Sequence, residues 1–143
     1  MKNDTILLLK ECDSGVKMGI NAFNEVIDEI QNHNIIDIIR ESKTEHTELG
    51  NEVRQLLHKY GEETPDPSPL ARGMSHLMTE MKLAIDSRDS KICDIITDGC
   101  NMGIKSLNRY LNQYKAADSE SREITQRLIE LEEKLNHRLY PFL

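Results

Sequence analysis

The sequence predicts an all-α protein: a four-helix bundle with an additional helix between its second and third long helices. Three observations predict it. Apolar residues recur at helical spacing along nearly the whole chain. No alternating β-branched run bounded by turns occurs. Three of the four prolines fall in one stretch, Thr64-Pro65-Asp66-Pro67-Ser68-Pro69, so one loop separates two stretches free of strong breakers.

The first helix is expected over about 4–31. At about 100° per residue, Leu9, Cys12, Val16, Gly19, Ile20, Phe23, Ile27 and Ile30 share one arc. Asn32-His33-Asn34 reads as a turn. The second spans about 35–60, with Ile35, Ile38, Ser42, His46, Leu49, Val53, Leu56 and Tyr60 on one face. Gly61 is placed to end it with a left-handed cap. After the loop, Ser68 is an N-cap and Pro69 a first helical residue. A shorter helix, about 69–85, carries Leu70, Met74, Leu77, Met78, Met81, Ala84 and Ile85 on one side. Asp86-Ser87-Arg88-Asp89-Ser90 breaks it and offers caps for the next. The third long helix covers about 90–114, with Ile92, Ile96, Cys100, Gly103, Leu107, Tyr110, Leu111 and Tyr114 inward. Lys115–Asp118 is a short turn. The fourth covers about 119–138, with Ile124, Leu128, Leu131, Leu135 and Leu139 inward.

Loop lengths set the topology. Tight turns make helices one and two antiparallel neighbours, and likewise three and four. The intervening helix is about 25 Å long at 1.5 Å per residue. That suits a crossover returning the chain to the other end of the bundle. The expected connectivity is up-down-down-up, as in ferritin-like folds.

The 143 residues suit one domain, 1–143. With 18 Lys+Arg against 25 Asp+Glu the net charge is −7, which opposes nucleic-acid binding. The run Ile6-Leu7-Leu8-Leu9 is far too short to span a bilayer, and no signal peptide is visible. Three irregularly spaced cysteines, Cys12, Cys93 and Cys100, build neither a disulfide framework nor a zinc knuckle. A soluble, cytoplasmic domain is expected.

An internal repeat supports the bundle. At an offset of 84 residues, Gly15 to Gly99, Ser14–Asn24 matches Asp98–Asn108: both contain G-x-x-M-G-I, then an apolar residue and Asn. Mid-helix glycine costs up to about 1 kcal/mol relative to alanine. Gly15, Gly19, Gly99 and Gly103 are therefore expected to let helices one and three pack closely.

The stretch Leu70-Ala-Arg-Gly-Met-Ser-His-Leu-Met-Thr-Glu-Met-Lys-Leu-Ala-Ile, followed by Ile92–Leu111, resembles an uncharacterised bacterial family of ferritin-like four-helix bundles. That family is known mainly as a domain of unknown function. The likeness covers nearly the whole chain, is strongest from Gly61 onward, and rests on pattern and element order. It implies the ferritin-like fold with a helical crossover, and it implies no activity.

Ferritin-like di-iron proteins place a Glu on each of two helices and a Glu-x-x-His on each of the others, all facing inward. Here the acids of helix one miss the centre of the apolar arc: Glu25 is about 170° away and Asp13 sits at its border. Helix three has no Glu. His46 is inward but is preceded at that spacing by Lys43. His137 is preceded by Lys134 and points outward. Only His46 and Glu132 remain as weak metal candidates. They occupy comparable places in helices two and four, either as a hydrogen-bonded pair or, the favoured reading, as a satisfied core histidine and a boundary acid. A paired His46 would keep its proton to higher pH.

Met74, Met78 and Met81 either pack on the bundle, the favoured reading, or offer a dimer surface. The cysteines read as buried structural thiols, with a Cys12–Cys100 approach as the alternative. Glu130, Glu132, Glu133 and Lys134 form a solvated charged stretch. The tail Arg138–Leu143 either docks over the bundle end, the favoured reading, or serves as an adhesive segment. No nucleophile elbow or phosphate loop occurs, and the 69–85 helix lacks the basic face of a membrane-surface helix.

The expectation is a non-catalytic interaction or stress-associated module with an apolar interior, no catalytic residues and no cofactor. It is expected to self-associate as a dimer, to have a possible protein partner, and to bind neither nucleic acid nor membrane. The rival is a ferritin-like metalloprotein that binds iron or manganese through an atypical ligand set.

Overall fold

The computed structural model describes residues 2–62 and 88–143, and every regular element among them is helical. Four long helices carry the fold: α1 Lys2–Val26, α2 His33–Lys59, α3 Asp89–Gln113 and α4 Ser119–Leu139. Short 3₁₀ turns follow α1, at Ile27–Glu29, and α4, at Tyr140–Phe142. The expected helix at 69–85 and its Met74, Met78 and Met81 lie outside the described residues.

Three of the four long helices match the periodicity at both ends to within about two residues. The first helix stops earlier than its apolar spacing suggests. After Val26 the chain tightens into the 3₁₀ turn, and Ile30 becomes extended at φ −83°, ψ 131°. That bend drives the Ile30 side chain into the core before the Asn32 carboxamide caps α2 by accepting from the Asn34 N–H. At the other end of α2, Gly61 takes φ +82°. Its N–H donates to the His58 carbonyl and the Glu62 N–H donates to the Leu57 carbonyl, both at 2.9 Å. This is a Schellman ending, the left-handed cap that Gly61 was placed to provide.

Hydrogen bonds between the ends fix the helix directions. The Asp89 carboxylate, at the start of α3, accepts the Gln31 and Asn32 N–H groups at 3.1 and 2.9 Å. At the opposite end, Asp4 and Thr5 of α1 accept the Ala116 and Asp118 N–H groups at 3.0 and 2.8 Å. Thus α1 and α4 run one way, and α2 and α3 the other. The chain leaves α2 at one end of the bundle and enters α3 at the other.

The two contacts are also one motif used twice. Thr5 and Asp89 correspond at the repeat offset of 84, and Asn32 and Asp118 are both helix N-caps, offset by 86. Each hairpin therefore ties the turn of the other to its own first helical turn.

The core is formed by side chains from all four helices, including Leu8, Leu9, Ile35, Ile39, Leu57, Ile92, Leu107, Leu128, Leu135 and Leu139, each under 2% exposed. Phe142 packs against this core while Tyr140 and Leu143 stay exposed, so the tail docks in part. Across the α2–α4 seam, Glu41 pairs with Arg138, Glu45 with Lys134 and Glu52 with Arg127. Numbers rise on one helix as they fall on the other, the register of an antiparallel pair.

One expectation about the interior needs correction. Glu11 and Asp13 are 3% and 1% exposed. A helical wheel assigns a helix one buried stripe, but the first half of α1 buries Thr5, Leu8, Leu9, Cys12, Ser14 and Val16 as well. That width brings neighbouring polar positions inside. The Asp13 carboxylate is matched by Lys17 at 2.7 Å and Arg54 at 3.7 Å. Burial first, then the charge of Glu11, push the Tyr110 phenol up to about 12.

Candidate functional site

A buried polar pair lies where α2 faces α4. His46 is 0% exposed, and its Nε2 lies 2.5 Å from Glu132 Oε1. The other ring nitrogen, Nδ1, is 2.7 Å from the Ser42 carbonyl oxygen, one helical turn back, with the Ser42 hydroxyl at 3.3 Å. Phe23 of α1 meets the imidazole edge-on, with ring centroids 5.2 Å apart. The Glu132 side chain keeps 15% exposure.

Burial alone would drive a proton off His46. The hydrogen bond and charge of Glu132, the Ser42 carbonyl and the charge of Glu45 outweigh it and raise the imidazole pKa above 6.5. The Cys100 thiol of α3 is buried, and burial, then the charge of Glu132, hold it well above its usual range.

The repeated glycines surround this pair. A Cβ on Gly19 would lie 3.4 Å from the His46 ring, and one on Gly103 would lie 3.9 Å from Glu132 Oε2. Gly19 and Gly103 correspond at offset 84, and His46 and Glu132 at offset 86. In each hairpin the glycine of the first helix faces the side chain on the second at a distance that a Cβ would meet in ordinary contact, and the two side chains then meet. Gly15, Gly19, Gly99 and Gly103, with Leu107, Leu128 and Glu132, line one cavity of about 30 Å³. A closer contact than those of Gly19 and Gly103 lies at a glycine the repeat does not mark: a Cβ on Gly50 of α2 would stand 2.8 Å from the Val16 side-chain Cγ1 of α1.

These residues do not fit a di-iron centre. At the level of His46 and Glu132, α1 contributes Gly19 and Phe23, and α3 contributes Gly103 and Cys100. The carboxylates required from those helices are missing. The buried acids Glu11 and Asp13 are engaged by Tyr110 and by Lys17 and Arg54. Among the described residues no group of three or more His, Cys, Asp or Glu side chains is arranged to hold a metal ion. His137 is exposed and forms an edge contact with Tyr140.

The cysteines are buried free thiols. Cys12 lies 3.2 Å from the Thr125 hydroxyl. Burial pushes Cys12 up to about 12 and Cys93 up to about 11. Cys12 and Cys100 are thus not joined by a disulfide.

A surface groove on the α2–α4 seam, about 300 Å³, is lined by Glu45, Glu48, Glu52, Glu130, Arg127 and Lys134 over Leu49 and Leu131. It holds two of the ion pairs described above. No helix among the described residues is long and apolar enough to cross a membrane. Comparison with protein-family models, with curated proteins and with solved structures finds no match.

Proposed function

We propose that the chain is a ferritin-like bundle without a di-iron centre, serving as a non-catalytic interaction or stress-associated module. The carrying observation is the occupant of the bundle's centre. His46 and Glu132 satisfy each other there, opposite Gly19 and Gly103, where di-iron proteins need converging carboxylates. The helix directions support the ferritin-like connectivity, because residues 63–87 must join opposite ends of the bundle. The pushed-up thiols support the absence of cysteine chemistry, since a thiol nucleophile needs a lowered pKa.

The reading includes self-association as a homodimer and a protein partner. The net charge of −7 disfavours nucleic acid. The test is elemental analysis of protein purified without chelator, alongside sedimentation equilibrium. The reading expects iron and manganese far below one equivalent per chain, and a dimer mass. One or more tightly held equivalents overturns it in favour of an atypical metalloprotein. A strictly monomeric mass removes self-association.

A further inference from the structure

We propose that the His46–Glu132 contact is a proton-held latch between α2 and α4, and that alkalinisation opens the seam at the bundle's centre.

The argument is a proton count. Nδ1 of His46 faces the Ser42 carbonyl oxygen at 2.7 Å, and a carbonyl only accepts, so Nδ1 carries a hydrogen. Nε2 faces a carboxylate oxygen at 2.5 Å. Without a second hydrogen, a ring lone pair would press against oxygen lone pairs at contact distance. The geometry therefore requires a proton between Nε2 and Oε1. An ordinary imidazole holds a proton more tightly than an ordinary carboxylate. The proton accordingly resides on the imidazole, giving a buried imidazolium–carboxylate pair.

The surroundings leave the latch little alternative. Around the ring, α1 supplies Gly19 and the Phe23 edge, which carry no charge. The ring's own helix supplies Ser42 and Glu45, the latter paired with Lys134. From α4 comes Glu132, and from α3 the buried Cys100 thiol, held neutral by burial and the charge of Glu132. With the imidazole fully buried, no solvent stands ready to replace the bond. When hydroxide takes the proton, two acceptors remain in contact and must separate. The glycine-lined cavity beside Glu132, about 30 Å³, has room to admit a water as they part.

The sign follows from linkage. The folded state binds this proton more tightly than the unfolded chain does. Its contribution is complete below the ordinary histidine value of about 6.5 and disappears as pH rises through the elevated folded value.

The experiment compares melting temperature against pH, from 6 to 10, for the wild type and Glu132→Gln. A glutamine amide can donate to Nε2 of the neutral ring, so the variant needs no extra proton. The Tm of the wild type is expected to fall by about 5 °C more than that of the variant over this range. Equal slopes overturn the proposal. Independently of whether the variant folds, nitrogen NMR of the wild-type imidazole at pH 7.5 should show both ring nitrogens of His46 protonated. A neutral ring with a bare Nε2 at that pH overturns it as well.

Discussion

His46 Nε2 and Glu132 Oε1 stand 2.5 Å apart, and the two residues are each other's counterparts in the internal repeat. Each is backed by the corresponding glycine of its own hairpin, Gly19 or Gly103. The pair therefore sits where the two halves of the bundle face each other symmetrically. Such a place is difficult for an ionisable residue. If both halves kept the same side chain, two histidines or two glutamates would meet as like charges. With a base on one half and an acid on the other, the contact is complementary.

Breaking the pair on one side should cost more than removing it. His46→Leu leaves Glu132 without its partner and is expected to destabilise the fold by about 3 kcal/mol in urea unfolding. Replacing both, His46→Leu with Glu132→Leu, should recover at least half of that loss, because no charge is left stranded. Losses that simply add would mean that the two side chains do not interact.

The glycines should separate by position. Gly50→Ala places a methyl 2.8 Å from Val16 Cγ1 and should cost about 1–3 kcal/mol through overpacking. Gly61→Ala meets nothing within 4 Å, yet it must hold φ +82° and should cost about 1–2 kcal/mol. Denaturant midpoints at unchanged slope would check both.

The end contacts should act independently. Asp89→Ala frees the Gln31 and Asn32 N–H groups and should cost about 1–2 kcal/mol. Thr5→Val frees the Asp118 N–H and should cost about 1 kcal/mol. The double variant should equal their combined losses to within about 0.5 kcal/mol, since the sites lie at opposite ends of the bundle.

Acid should act at a different place from alkali. Burial raises the Asp118 carboxyl, but hydrogen bonds from the Ser121 N–H and the Tyr60 hydroxyl outweigh it and hold the group below its usual range. Its contribution is present above the ordinary carboxylate value and is lost as pH falls through the lowered one. Asp118→Asn should flatten part of the acid limb of a stability profile and leave the fall attributed to His46 unchanged, altering the alkaline limb only where Tyr60, raised by its bond to Asp118, titrates.

The thiols should be silent in the native state. With Cys12 and Cys93 held up to about 12 and 11, and Cys100 raised with them, alkylation at pH 8 should label the folded chain far more slowly than the urea-unfolded one. Rapid labelling of native Cys100 would contradict its place against Glu132.

Much of the scaffold can be read along the chain. The 3.6-residue spacing of Ile35, Ile38, Leu49 and Val53, or of Ile92, Ile96, Cys100 and Leu107, marks helices whose inward faces stand in the structure. Gly61 announces its own cap. His46 and Glu132 are visible as corresponding inward positions, but a wheel cannot say that their side chains touch, because it carries no distance between helices. The same limit hides Glu11 and Asp13, which are buried because the first half of α1 is enclosed well beyond one stripe. It also hides Gly50, whose importance comes from Val16 on another helix. Asp89 looks like a cap for its own helix, yet it serves the α1–α2 turn, a partner 57 residues away. What periodicity leaves out is what tertiary contact decides.

The most direct test of what occupies the bundle's centre is a manganese titration followed by NMR of the histidine rings. Mn²⁺ broadens the signals of nuclei near its binding site. The account predicts that His46 keeps its linewidth while any broadening falls on the exposed His33, His58 and His137. Selective broadening of His46 at one equivalent of Mn²⁺, abolished by Glu132→Gln, would contradict it.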